Sequence, residues 1–394
     1  MQGWLVALSA FGYLAILFAV AAFGDRRARV LPPGSPRPLI YAFSLAVYCT
    51  SWTFFGSIGL AASDGFEFFA IYLGPILVFT LGYPLVRRVI HLSKSERITS
   101  IADFLGARYG KSMHVAALAA CIAVIGTVPY IALQLKAVSN AVTLMVSHYD
   151  GTGGYPATLT LDVSFVVAMS LLVFSVLFGT RHADATEHQD GLITAIAVES
   201  VVKLTVFLLV GVAITFFLFG GVEPIAEAFR TDPAVARSLS EGASGETWLV
   251  MTLLSACAIL MLPRQFHVTV VEHRSDVELR RAAWLFPLYL IAINLLVMPI
   301  AVAGMIHLGP DVPADMYLLA LPLAADLDLL ALITFIGGLS AATAMVIVAS
   351  VALAIMVSND LVLPALLWRR GAAARSAASD WSQVILNIRR IAME

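Results

Sequence analysis

Long apolar runs separated by short polar connectors make up almost the whole chain. Nine runs approach or exceed the roughly 20 apolar residues that a helix needs to cross a bilayer. They lie at roughly 3–23, 39–62, 66–89, 113–137, 161–180, 189–219, 247–263, 283–307 and 327–357, and predict an all-α integral membrane bundle. One run is not a plain anchor. LIYAFSLAVYCTSWTFFGSIGLAA, from Leu39 to Ala62, sets Tyr48, Cys49, Thr50, Ser51, Trp52 and Thr53 in a row, then Gly56, Ser57 and Gly59. Hydroxyls and glycines at that depth suit a helix broken inside the membrane, where the freed backbone groups find partners around a protein-enclosed cavity. A continuous helix whose hydroxyls bond back to its own carbonyls would carry the same residues.

Composition agrees with the pattern: 60% of the 394 residues are hydrophobic and 13% charged, against about 25% charged in soluble domains. The net charge of -2 and the scatter of basic residues over loops give no nucleic-acid surface. Cys49, Cys121 and Cys257 all fall in apolar runs, which argues against disulfides and against a metal cluster. The first apolar run has no basic stretch before it, and Arg26, Arg27 and Arg29 follow it instead. It reads as an extra transmembrane helix (1–24) rather than a signal peptide. Of the 24 lysines and arginines, all but Lys136, Lys203, Arg230 and Arg237 fall in connectors after odd-numbered runs or in the tail. The positive-inside rule then puts the amino terminus outside and the tail in the cytoplasm.

The connectors refine this picture. RRARVLPPGSPRP (Arg26 to Pro38) is a stiff proline-rich link. In HLSKSERITSIADFLGARYGK (His91 to Lys111), Thr99 or Ser100 can cap a short amphipathic helix. Its Ile101, Phe104 and Leu105 are expected on the membrane, with Asp103 and Arg108 in water. The outer segment from Gly221 to Glu246 should be a polar loop with a short helix.

Charged groups within spans are candidate functional residues. Glu199 and Lys203 are four apart on one helix face, as an internal ion pair or as a relay. Tyr130 and Gln134 project the same way beyond Pro129, into a cavity or into the outer aromatic belt. The stretch MLPRQFHVTVVEH carries Pro263, Arg264, Gln265, His267, Glu272 and His273 at the inner end of the seventh run. His267 there is a structural group or a pH-responsive gate. No enzyme constellation appears, and no cofactor is implied.

Several of these segments resemble the sodium/solute symporter family. ITSIADFLGARYGKS, PYIALQLKA, SLAVYCTSWTFFGSIG and GGLSAATAMVIVASVALAIMVSNDL carry the likeness. Together with FGTRHADATEHQDGLITAIAVESVVKL, they are most similar to the symporter-like membrane half of CbrA-type sensor histidine kinases. The resemblance implies a LeuT-like inverted repeat: a first five-helix repeat over 39–219 and an incomplete second repeat with a cytoplasmic tail over 247–394. A phospho-accepting histidine box and an ATP-binding glycine motif are absent, so the chain reads as a fragment lacking the kinase part. By the same resemblance the function is transport or sensing of a small nutrient such as an amino acid, the stand-alone cation-coupled symporter being the alternative. The partners are then a small solute, the lipid bilayer and downstream kinase modules. Substrate contacts are expected from Tyr48, Trp52, Thr53, Tyr130 and Gln134.

The family's sodium site maps onto backbone carbonyls of Ala46, Cys49 and Ala341 and onto hydroxyl positions that are here Ala344 and Met345. A hard cation needs oxygen ligands that Ala and Met side chains lack. This argues against sodium at this site and favours a proton-coupled or a purely sensory role, with Glu199, Lys203 and His267 as the titratable candidates.

Overall fold

A computed structural model of the chain describes residues 3–32, 34–149, 189–240, 244–308, 312–370 and 382–393, with isolated positions between 165 and 176. The fifth expected span, 161–180, lies outside the described residues. Among them every regular element is helical. In chain order these are α1 (Gly3–Val30), α2 (Pro38–Tyr48), α3 (Trp52–Thr80), α4 (Tyr83–Ser95), α5 (Ile101–Arg108), α6 (Met113–Tyr149) and α7 (Asp190–Leu218). There follow α8 (Val222–Thr231), α9 (Pro233–Ser240), α10 (Gly245–Met261), α11 (Pro263–Val271), α12 (Asp276–His307), α13 (Ala314–Ala324), α14 (Asp328–Leu366) and α15 (Ser382–Ile391). Six of these are long and apolar enough to span a bilayer, or seven with the bent pair α10–α11 taken as one.

The run at 39–62 is broken, as one of its two sequence readings has it, into two helices with Cys49 and Thr50 between them outside regular helix. The helical winding of α3 changes at Gly65, whose φ of +59° suits a residue without a Cβ. α13 is only 11 residues long, too short to span, and is absent from the expected spans. α6 runs unbroken through Pro129.

Packing follows the apolar faces. The 70–80 segment of α3 lies on α10, α1 on α7, the first part of α12 on α2, and α14 against both α6 and α7. α14 is the centre of the bundle, with almost every residue from Gly337 to Met356 buried. Gly337 and Gly338 let it approach the broken helix closely: a Cβ on Gly337 would stand 2.6 Å from Phe54 Cζ, and one on Gly338 would meet the Phe55 ring. The amphipathic α5 is capped as expected, the Ser100 hydroxyl accepting from Asp103 N–H at 2.9 Å. Its apolar face turns inward rather than onto lipid, with Phe104 against Phe266.

At the arginine-rich end a buried ionic cluster ties distant segments together. Arg37 and Arg274 both pair with Asp190, the latter at 2.7 Å. Glu278 accepts the backbone N–H groups of Arg37 (2.6 Å) and Arg274 (2.8 Å), and Glu272 accepts that of Gln189 (3.0 Å). His267 lies here, 3.7 Å from Glu272. Removing one partner of a buried pair costs about 3–5 kcal/mol, because the other charge is left unpaired.

Two tests follow from this packing. Gly338→Val should lower the melting temperature by several degrees, the overpacking cost being about 1–3 kcal/mol. Gly12→Ala, with nothing within 4 Å of its Cβ, should leave it unchanged or slightly raised. Burial and the nearby Lys94 charge hold the His273 imidazole down at about 4, from an ordinary 6.5. Below about 6.5 the unfolded chain takes up a proton that the folded chain refuses, so stability falls as pH drops from about 6.5 towards 4. His273→Gln should flatten that window of the melting curve against pH; an unchanged profile would assign the loss to other groups.

Candidate functional site

The site is built on the first helix break. Two residues, Cys49 and Thr50, leave regular helix, and the backbone groups freed around them need partners inside the bundle. Each partner is visible. Ser51 donates to Gln134 Oε1 from its backbone N–H (3.0 Å) and from its hydroxyl (2.7 Å). Trp52 N–H donates to Thr50 Oγ1, whose hydroxyl also meets the Tyr130 hydroxyl at 3.0 Å. On the carbonyl side, Lys203 Nζ reaches across from α7 and donates to Ala46 O (3.0 Å) and Cys49 O (2.6 Å). Lys203 is fully buried.

A second break faces the first. Pro263 has no N–H to give and disfavours helix in the residue before it. Leu262 is accordingly extended (ψ 131°), and α10 and α11 meet at 54°. Between the breaks lies a cavity of about 560 Å³. Tyr48, Trp52 and Thr53 line it from the first break, Met261 to Arg264 from the second, and Thr127 and Tyr130 from α6. Ile101 and Leu105 of α5, expected on the membrane, close part of its wall.

Four of the five residues expected to contact a solute therefore share one cavity. The fifth, Gln134, does not line it; its amide oxygen is engaged in holding the break. The residue that sequence reasoning missed is Arg264. It stands just beyond the apolar run 247–263 and reads from sequence as a residue of the inner loop, yet it is only 5% exposed and lines the cavity. Its guanidinium lies 4.9 Å from the centre of the Tyr130 ring, and its Nε has no hydrogen-bond partner. A cation–π contact contributes about 0.5–2 kcal/mol, less than the several kcal/mol that desolvating an ion costs. The proline one position before it was the available signal of a buried helix break.

Glu199 and Lys203 do not pair with each other as expected; among the described residues no ion pair joins them. Lys203 is turned to the carbonyls of the first break, and Glu199 accepts a hydrogen bond from the Thr343 hydroxyl. The Ser340 hydroxyl donates to the Glu199 carbonyl at 2.9 Å. His267 belongs to the ionic cluster at the arginine-rich end and does not line the cavity.

The positions implied for sodium can be tested on this geometry. Ala341, Ala344 and Met345 are buried in α14 and bring no side-chain oxygen. The nearest hydroxyl on that helix, Thr343, is engaged with Glu199. Ala46 and Cys49 do turn their carbonyls to a positive charge, but that charge is the Lys203 ammonium. The residues present do not fit a sodium ion.

Comparison with known proteins places this architecture. No family model matches the chain. The uncharacterized symporter YodF of Bacillus subtilis (strain 168) is 24% identical over 250 residues, covering 63% of this chain and 47% of the relative. The uncharacterized symporter YhjB of the same strain is 26% identical over 280 residues, 70% and 53% respectively. The chain thus spans about half the length of these curated relatives. A solved Na+-coupled sialic acid symporter, in a substrate-bound outward-open state, superposes on 98% of this chain and 78% of its own, with a TM-score of 0.65 at 16% identity. These relatives are symporters, and nothing in them supports the sensor-kinase link suggested by the sequence. The chain has a LeuT-like helical fold and is a multi-pass protein of the bacterial inner membrane, with symporters as its relatives.

Proposed function

We propose that the protein is a solute symporter that works without sodium. The cavity between the two breaks holds the solute, with Tyr48, Trp52, Thr53 and Tyr130 on its wall. The observation that carries the reading is the Lys203 ammonium bonded to the carbonyls of Ala46 and Cys49. A covalently tethered cation sits where a transported one would have to sit, so a sodium ion would have to displace a buried lysine. Coupling then falls to a proton, with Lys203 and the Glu199–Thr343 pair as the groups that carry it. Helices broken at mid-membrane and facing one another are the usual frame of solute sites in inverted-repeat transporters. The symporter relatives favour this reading over a sensor domain.

The test compares purified protein in saturating sodium chloride and in choline chloride at equal ionic strength. The melting temperature should not differ between the two salts. In proteoliposomes, uptake of a radiolabelled panel of short carboxylates, amino acids and sugars should respond to an imposed proton gradient and not to a sodium gradient. A sodium-specific rise in melting temperature, or strict sodium dependence of uptake, would overturn the reading. Lys203→Met keeps the volume and removes the charge. Ala46 O keeps its bond from Cys49 N–H, so the variant should lower stability by about 1–3 kcal/mol for the Cys49 carbonyl left without its ammonium, and it should abolish the response to the proton gradient.

A further inference from the structure

The cavity has a marked imbalance of charge. Most of its wall is apolar, with Trp52, Ile71, Ile101, Leu105, Ile122 and Met261 among the lining residues. Its polar groups are largely engaged elsewhere: the Tyr48 hydroxyl donates to Ile71 O at 2.8 Å and the Tyr130 hydroxyl is bonded to Thr50. Arg264 is different. It is more than nine-tenths buried, lines the cavity, and makes no ion pair with any described acidic residue. Its Nε is without a hydrogen-bond partner, and the guanidinium lies over the face of Tyr130. Among the described residues no Asp or Glu lines the cavity.

We infer that the solute is a carboxylate with an apolar body, its anionic group paired with the Arg264 guanidinium and its hydrocarbon part against the apolar wall. A planar guanidinium offers parallel N–H donors at the spacing of carboxylate oxygens, which makes the pair directional as well as strong. Burial raises the value of such a pair, because a buried cation without an anion carries an uncompensated desolvation cost. The same geometry disfavours amines and cationic solutes. They would find no carboxylate on the wall and would meet Arg264. Neutral sugars would leave the guanidinium unpaired and set their hydroxyls against isoleucine and leucine. The apolar wall selects short branched or aromatic chains over polyols. The inference rests on reading this cavity as the solute site, and it narrows the solute from any small nutrient to an organic anion.

Equilibrium binding to purified protein in detergent tests it with no gradient present, so the result does not depend on the coupling ion. The probes are 3-methylbutanoate and phenylacetate, each matched with its neutral amide. At least one carboxylate should bind and raise the melting temperature, with its amide weaker by about 30-fold or more, as expected when a buried charge pair loses one partner. Arg264→Gln should lose affinity for the carboxylate by a similar factor and bind carboxylate and amide alike, and Arg264→Lys should recover part of the preference. The comparison of acid with amide on the unmutated protein stands even if Arg264→Gln folds poorly. Amides binding as tightly as acids, carboxylates that leave the unmutated protein unshifted, or a folded Arg264→Gln variant with unchanged affinity would each overturn the inference. Sodium-dependent uptake of a carboxylate would overturn the coupling proposal and leave this one standing.

Discussion

Everything at the centre of this bundle depends on the contact between the Lys203 ammonium and the carbonyls of Ala46 and Cys49 at the first helix break. A helix can stop within a membrane only if the backbone groups it frees are met by something other than lipid. Here the N–H side is met by Gln134 and Thr50 and the carbonyl side by Lys203. The lysine is equally dependent on the break, because burying an ammonium without acceptors costs several kcal/mol. Each feature makes the other tolerable. The break opens the cavity, and the cavity brings Tyr48, Trp52 and Thr53 to face Arg264.

A bound ion can hold a broken helix in place. In this chain the holding charge is part of α7, so it is present whatever the ionic composition outside. On the proposed reading the same lysine, with the Glu199–Thr343 pair, would answer to protons rather than to sodium. Thr343 and Ser340 tie Glu199 to α14, so α7 is linked on one side to the broken helix and on the other to the most buried helix of the bundle.

Much of the fold was legible because the bilayer imposes strong rules. Apolar runs of span length have one dominant physical meaning, and the row of polar residues after Val47 marked where a helix could break. What stayed hidden required knowledge of the partner. Helix periodicity placed Glu199 and Lys203 on one face and suggested that they pair, but it is blind to carbonyls on another helix that bind an ammonium better. Gln134 is expected to face the cavity with Tyr130, yet only the restart of the helix at Ser51, just after the break, reveals what its amide oxygen does. Arg264 looked like one more loop arginine because the apolar run ends just before it, and chain continuity does not show that Pro263 starts a second helix segment inside the protein. The amphipathic face of α5 was read correctly as apolar and assigned to lipid, since a sequence cannot tell a lipid neighbour from a protein one. α13 escaped notice because 11 residues fall well short of a span.

The ionic cluster at the arginine-rich end has a property that a simple chain of ion pairs would lack. Asp190 is shared by two guanidiniums that belong to different segments, Arg37 just before α2 and Arg274 just before α12. If either arginine swings away, the carboxylate keeps a counter-charge in the other, so the departure strands no buried anion. The charge balance at this end therefore has a spare: neither segment alone is indispensable to neutralising Asp190.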